Sequence, residues 1–196
     1  MNKDILICGV GGQGTVLASK LIAAAAMEEG NVVHSAETIG MAQRGGSVTS
    51  HVRIGEAYSP LIPQGSCDLI LSFEPAEAVR SLPYLKKDGC VIVNAAPVKP
   101  TTESLQDTGY DGREMLAYLE KKTRVIVVDS APLCEQLGSS KYLNVLLLGV
   151  AAGAGALGLD KETLLQQIRR RVPQKFVENN ILAFEKGYQK GQETCS

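Results

Sequence analysis

The residues of this chain best suited to chemistry lie in two glycine-bracketed stretches near its start. Gly9-Val10-Gly11-Gly12-Gln13-Gly14 follows a short apolar run, Ile5-Leu6-Ile7-Cys8. The spacing Gly9-x-Gly11-x-x-Gly14 permits a tight turn, close approach of the backbone to an anion, and close packing of a following helix. That helix would offer unpaired N–H groups and a positive dipole. Gly11, Gly12, Gln13 and Gly14 are therefore candidates to hold a phosphate or another anion, and Thr15 adds a hydroxyl. A tight turn that serves packing alone would use the same glycines. The second stretch, Gly40-Met41-Ala42-Gln43-Arg44-Gly45-Gly46-Ser47, sets one arginine beside flexible glycines. A guanidinium held there can clamp a carboxylate or phosphate through two parallel hydrogen bonds. Arg44, Gly45, Gly46 and Ser47 form the second candidate group. The competing account is a glycine bulge that opens the next strand, with Arg44 in solvent.

The remaining chemistry-bearing residues have simpler explanations. Glu37 ends a predicted strand, roughly where a dinucleotide fold places its ribose-binding acid, so a self-contained NAD(P)- or flavin-binding protein is the main alternative function. His34 and His51 fall in predicted strands and read as core or sheet-face histidines. Glu74 and Glu77 stand three apart at a helix start, where carboxylates complement the dipole. Asp129-Ser130 ends a strand and is expected to cap the helix after it. The chain carries no GxSxG, HExxH, CxxC or Walker lysine, so no catalytic residue is assigned. Its five cysteines, at 8, 67, 90, 134 and 195, lack metal-ligand spacing. No metal site is expected, and an odd, scattered set of thiols fits a reducing cytoplasm.

The elements that must position these residues alternate along the chain. Short apolar strands are predicted at 5–8, 31–36, 69–73, 91–94 and 125–128, with helices at about 13–29 and from Glu74-Pro75 onward. Residues 37–47 read as a loop and 95–108 as irregular. Ser47 to Ile54 alternates in polarity, as a strand between unlike environments does. Gly55-Glu56 then predicts a hairpin turn into 57–59, with Pro60 and Pro63 bounding a rigid connector. Helical patterns at 141–157, 160–171 and 174–190 finish the chain. The expectation is an α/β fold: one Rossmann-like three-layer domain over 1–196, with a mostly parallel sheet and a helical C-terminal region. The glycine-rich helix near 146–157, with Gly149, Gly153 and Gly155, is either a surface for a partner or an internal core helix.

Composition excludes several function classes. The 196 residues carry a net charge of −1, and no basic run exceeds Arg169-Arg170-Arg171, which fits a solvated helix face. With no Trp and few other aromatics, stacking platforms for nucleic acid are scarce. The longest apolar run, 145–159, is broken by glycines and falls short of the roughly 20 residues a membrane helix needs. Asn2-Lys3-Asp4 leads straight into a strand, so no secretion signal is expected and a cytoplasmic location follows.

Further matches narrow the reading. Beyond Gly9–Gly14 and Gly40–Val48 they include Ser50-His51-Val52-Arg53, Tyr58-Ser59-Pro60-Leu61-Ile62-Pro63, Phe73-Glu74-Pro75 with Glu77-Ala78, Tyr84-Leu85-Lys86, Val91–Asn94, Asn144-Val145, Leu148-Gly149 and Val172-Pro173 with Lys175. With these residues, nearly the whole chain resembles the gamma-type domain of 2-oxoacid:ferredoxin oxidoreductases. The loop before Arg44-Gly45-Gly46 is similar to that of the arylpyruvate (indolepyruvate) branch. The resemblance implies a two-subunit enzyme that decarboxylates an arylpyruvate oxidatively, joins the acyl group to coenzyme A and reduces ferredoxin. It also implies that thiamine diphosphate and [4Fe–4S] clusters reside in a larger alpha subunit, and that this chain binds no cofactor and is inactive alone. The Gly11–Thr15 turn and Arg44 would face the shared cleft and hold a coenzyme A phosphate or the substrate carboxylate. A purely structural assembly role would leave Arg44 without a ligand.

Overall fold

The computed structural model describes residues 1–39, 46–98 and 109–194. Its elements are β1 (Lys3–Val10), α1 (Thr15–Glu28), β2 (Val33–Ile39), β3 (Ser47–Ile54), β4 (Cys67–Ser72), α2 (Pro75–Ser81) and β5 (Leu85–Asn94). There follow α3 (Arg113–Lys122), β6 (Arg124–Val128), α4 (Ala131–Gln136), α5 (Leu143–Gly153), α6 (Lys161–Arg171) and α7 (Val177–Glu193). The strands form one sheet in the order β2-β3-β1-β4-β5-β6. The pairs β1–β4, β4–β5 and β5–β6 are parallel, so the sheet is mostly parallel, as expected.

The apolar runs explain why the sheet is covered on both sides. Ile5, Ile7, Leu69 and Leu71 share one core with residues of α1, α5, α6 and α7. Leu6, Cys8, Ile70, Val91 and Val93 point the other way, against Ala78 of α2 and Leu119 of α3. The three-layer, Rossmann-like α/β reading holds. Among the described residues, no helix is long and apolar enough to cross a membrane.

Three findings add to or correct these expectations. First, β2 does not pair with β1: β3 lies between them, antiparallel to both, with Lys3 opposite Ile54 and Val33 also opposite Ile54. Only residues 40–46 separate β2 from β3, far too few for the crossover that a parallel neighbour requires. The chain must therefore run back alongside β2. Second, Gly55 does turn the backbone, with φ of +99°, but no hairpin forms. Both edges of β3 are already paired, so residues 57–59 have no edge to join. Third, Ser130 does not cap α4. Its hydroxyl donates to Asn94 Oδ1 at 2.6 Å, while Asp129 Oδ1 accepts from the Ala131 N–H at 3.3 Å.

The glycine-rich helix is internal. A Cβ on Gly149 or Gly153 would collide with the Phe184 or Tyr188 carbonyl of α7, and one on Gly187 or Gly191 with the Leu146 or Val150 carbonyl of α5. Two pairs of glycines, each four residues apart, thus let the two helices approach backbone to backbone. Leu143 to Ala151 of α5 is buried without a break, as suits a helix apolar all round.

Candidate functional site

In an open α/β sheet, ligands bind outside the carboxyl ends of the strands where the strand order reverses. Here the chain proceeds from β1 toward β2 on one side, and through β4, β5 and β6 on the other. The reversal therefore lies between β1 and β4. The glycine turn follows β1, and Phe73-Glu74 follows β4.

Gln13 fills this junction. Its Oε1 accepts from the Val10 N–H at 2.7 Å, and its Nε2 donates to the Phe73 carbonyl at 2.9 Å. Its own N–H donates to the Val10 carbonyl at 3.1 Å, and the Gly11 N–H donates to the Gly46 carbonyl at 2.8 Å. Three N–H groups of the turn are thus spent within the protein rather than aimed at an anion. The glycines are required by the backbone. Gly12 has φ of +101°, and Gly14, the residue before α1, has φ of +84°. A Cβ on Gly14 would also overlap Asn144 of α5, whose Nδ2 donates to the Gly14 carbonyl at 3.4 Å. Thr15 opens α1 but is only 4% exposed, so its hydroxyl is not displayed as the sequence suggested.

The Gly11–Gly46 bond brings the two candidate stretches together at the same edge. Arg44 and Gly45 lie outside the described residues. Ser47 Oγ donates to Glu77 Oε2 at 2.5 Å, and Arg80 pairs with the other oxygen of Glu77. Glu74 Oε2 accepts from the Glu77 N–H at 3.0 Å, and Glu74 Oε1 receives the Tyr110 hydroxyl. Tyr110 Oη in turn accepts from the Ala76 N–H at 3.2 Å. Burial, and then the Glu74 carboxylate, push the Tyr110 pKa well above its ordinary value, which keeps the phenol a donor. Glu74 and Glu77 are 2% and 4% exposed. Buried carboxylates need such partners, and these two do more than complement a dipole. Together with Val10, Ala76 and Val98, they line a cleft of about 170 Å³.

On the other side of Val98 opens a crevice of about 330 Å³, lined by Gly12, Gln13, Asn94, Ser130, Cys134 and Lys141 among others. Asn94 Nδ2 donates to the Phe73 and Ala96 carbonyls, each at 3.3 Å. Burial raises the Cys134 pKa, and it pushes the Cys8 thiol up to about 11 and the Cys67 thiol up to about 12. These are poor nucleophiles at neutral pH. Among the described residues, no group of three or more His, Cys, Asp or Glu is placed to hold a metal ion.

Glu37 is exposed, and its Oε1 accepts from Ser19 Oγ at 3.4 Å. Because β3 intervenes, it stands two strands from β1, about 10 Å across the sheet. That separation does not suit a ribose bound at the glycine turn. Sequence reasoning missed the network of Asn94, Ser130 and Tyr110, because nothing local marks side chains that meet only across strand ends. His51 was read correctly: it is 5% exposed, and its Nδ1 accepts from the Ile62 N–H at 3.2 Å.

Known proteins agree with this fold. The family model for pyruvate ferredoxin/flavodoxin oxidoreductase matches residues 4–190. A protein named indolepyruvate oxidoreductase subunit IorB, from Archaeoglobus fulgidus, is 40% identical over 190 residues, covering 96% of this chain and 94% of that protein. The crystal structure of a keto/oxoacid ferredoxin oxidoreductase gamma subunit from Geobacter sulfurreducens superposes with a TM-score of 0.71 at 23% identity, covering 97% of this chain and 99% of that one. The 2-oxoglutarate:ferredoxin oxidoreductase of Magnetococcus marinus, solved with 2-oxoglutarate, coenzyme A and succinyl-CoA bound, gives 0.75 at 18% identity. There the match covers 98% of this chain but 31% of that one. By its family match and its relatives, the chain belongs to the pyruvate ferredoxin/flavodoxin oxidoreductase family as a gamma-type domain.

Proposed function

We propose that this chain, as one gamma-type domain over 1–196, is the thiamine-free beta subunit of an arylpyruvate:ferredoxin oxidoreductase of the indolepyruvate kind. The complex takes an arylpyruvate and coenzyme A to the aryl-acetyl-CoA and carbon dioxide, and two electrons pass to ferredoxin. Thiamine diphosphate and [4Fe–4S] clusters, held by the larger alpha subunit, supply the carbanion and electron-transfer chemistry. The residues of this chain complete the cleft or the assembly. The cytoplasm is the proposed location, in keeping with the free thiols of Cys8, Cys67, Cys90 and Cys134.

The observation that carries this reading is the closure of the glycine turn by Gln13, which occupies the place where a self-contained nucleotide-binding fold seats its pyrophosphate. The indolepyruvate oxidoreductase relative supports the branch. Arg44 is joined through Gly45 to Gly46, whose carbonyl is tied to the turn. With the Val10, Gly11 and Gln13 N–H groups around the Gly11–Thr15 turn and the Ser47 hydroxyl spent within the protein, Arg44, borne on Gly45-Gly46 beside that turn, is the group of this chain proposed to meet an anionic group, a coenzyme A phosphate or the substrate carboxylate. The test is co-expression with the large subunit and an anaerobic assay with indolepyruvate, coenzyme A and an electron acceptor. Activity from the pair and from neither chain alone is expected. NAD(P) or flavin binding by this chain, without any complex, would overturn the reading.

A further inference from the structure

Glu77 is a buried carboxylate whose burial its own helix does not explain. Helix α2 is already capped by Glu74, whose Oε2 accepts from the Glu77 N–H at 3.0 Å, and Pro75 opens the first turn without an N–H to satisfy. A second glutamate in that turn can complement the dipole from solvent at little cost. Here the Glu77 side chain is 5% exposed, while the Arg80 side chain paired with it is 68% exposed. Arg80 thus supplies the countercharge that a buried carboxylate needs. The other oxygen, Oε2, serves a residue 30 positions earlier in the chain: it accepts from Ser47 Oγ at 2.5 Å.

Ser47 is the first residue of β3 and directly follows Arg44-Gly45-Gly46. The pairing of Ile39 with Val48 brings the end of β2 to the start of β3. Two further bonds fix the chain just inside that closure. The Gly46 carbonyl accepts from the Gly11 N–H at 2.8 Å, and the Ser47 hydroxyl reaches Glu77. Glycine leaves its backbone a wide range of conformations, so Gly45 and Gly46 cannot by themselves aim the arginine before them. A fixed group beside them must do so. Ser47 is itself exposed, so its bond to Glu77 serves no core contact; what it holds is the exit of the arginine-bearing stretch.

We propose that Glu77 is a positioning residue: through Ser47 it fixes the base of the stretch that carries Arg44, so that the guanidinium meets its anion from an ordered root. The inference rests on the anion contact proposed above for Arg44. Glu77 does not touch the anion. A carboxylate would repel it, and both Glu77 oxygens are taken within the protein. Its effect is felt through Arg44, as an ordering cost removed before the ligand arrives.

The test is a double-variant cycle in the complex of this chain with the large subunit. KM for coenzyme A, KM for indolepyruvate and kcat are measured for each variant. Glu77→Ala is expected to raise the same KM that Arg44→Ala raises, by about three- to tenfold, the loss of one hydrogen bond, with kcat near wild type. In the Arg44→Ala background it should raise that KM no further. Glu77→Gln should restore the wild-type value, because its amide can still meet Arg80 and a Ser47 hydroxyl that accepts as well as donates. Ser47→Ala removes the same bond from the exposed side and should reproduce the Glu77→Ala value; it carries the test where Glu77→Ala does not assemble. Wild-type KM values in Glu77→Ala and Ser47→Ala, beside a raised KM in Arg44→Ala, would overturn the positioning role and leave the Arg44 contact standing. A Glu77→Ala effect that persists in full beside Arg44→Ala would overturn it too, since Glu77 would then act on its own. Wild-type KM values in Arg44→Ala would remove the contact itself, and the inference with it.

Discussion

At the scale of single residues, the glycine turn is a packed joint. Replacing Gln13 by Ala would leave the Val10 N–H and the Phe73 carbonyl without their side-chain partner. The expected cost is about 1–3 kcal/mol, read as a lower urea midpoint. Gly14→Ala combines a left-handed backbone with overlap against Asn144 and should cost at least about 1–2 kcal/mol. His51 makes stability depend on pH. Burial, and then the charge of Arg53, lower its pKa below 6.5, so near that pH the unfolded chain binds more protons than the folded one. Stability is therefore full above about pH 6.5 and falls as the pH drops through the folded-state pKa, because a protonated His51 cannot accept from Ile62. A His51→Gln chain should show a flatter profile over that window in thermal melts from pH 5 to 8. The two glycine stretches were legible in the sequence because their spacing is local. Their closure by Gln13, and the set of Glu74, Glu77 and Tyr110, were not, because these partners meet only after strands β1, β3 and β4 align.

At the scale of elements, the β3 insertion and the α5–α7 contact define the molecule. The polarity of Ser47–Ile54 revealed a strand with unlike faces: Val48, Ser50, Val52 and Ile54 are buried on one side, while on the other Thr49 and Arg53 are half-buried and His51 is buried. Its slot between β1 and β2 could not be read from polarity, because strand order is a long-range property. Chain length between β2 and β3 was the available clue. Helix α3 was missed because it is short and charged, with Leu119 its buried residue. The glycines of α5 suggested close approach without naming the neighbour, and α7 is that neighbour. Gly153→Leu or Gly187→Leu should thus destabilise the isolated chain by more than the 1–3 kcal/mol usual for overpacking, since the obstacle is backbone. Differential scanning calorimetry of the chain alone checks this. An unchanged melting temperature would return the glycines to a surface role.

At the scale of the whole molecule, the carboxyl edge of the sheet holds two clefts. In the assembled enzyme, Arg44→Ala should raise the KM for coenzyme A or for the arylpyruvate at least tenfold with assembly intact, since a charge-assisted bidentate contact is lost. Unchanged values for both would leave Arg44 without an anion. The measurement that bears most directly on the subunit account is reconstitution. The purified large subunit is titrated anaerobically with this chain, while indolepyruvate- and coenzyme A-dependent reduction of the acceptor is followed. The account predicts no turnover at the start, then a rise that saturates once the large subunit is fully occupied. Full turnover by the large subunit before any of this chain is added would contradict it.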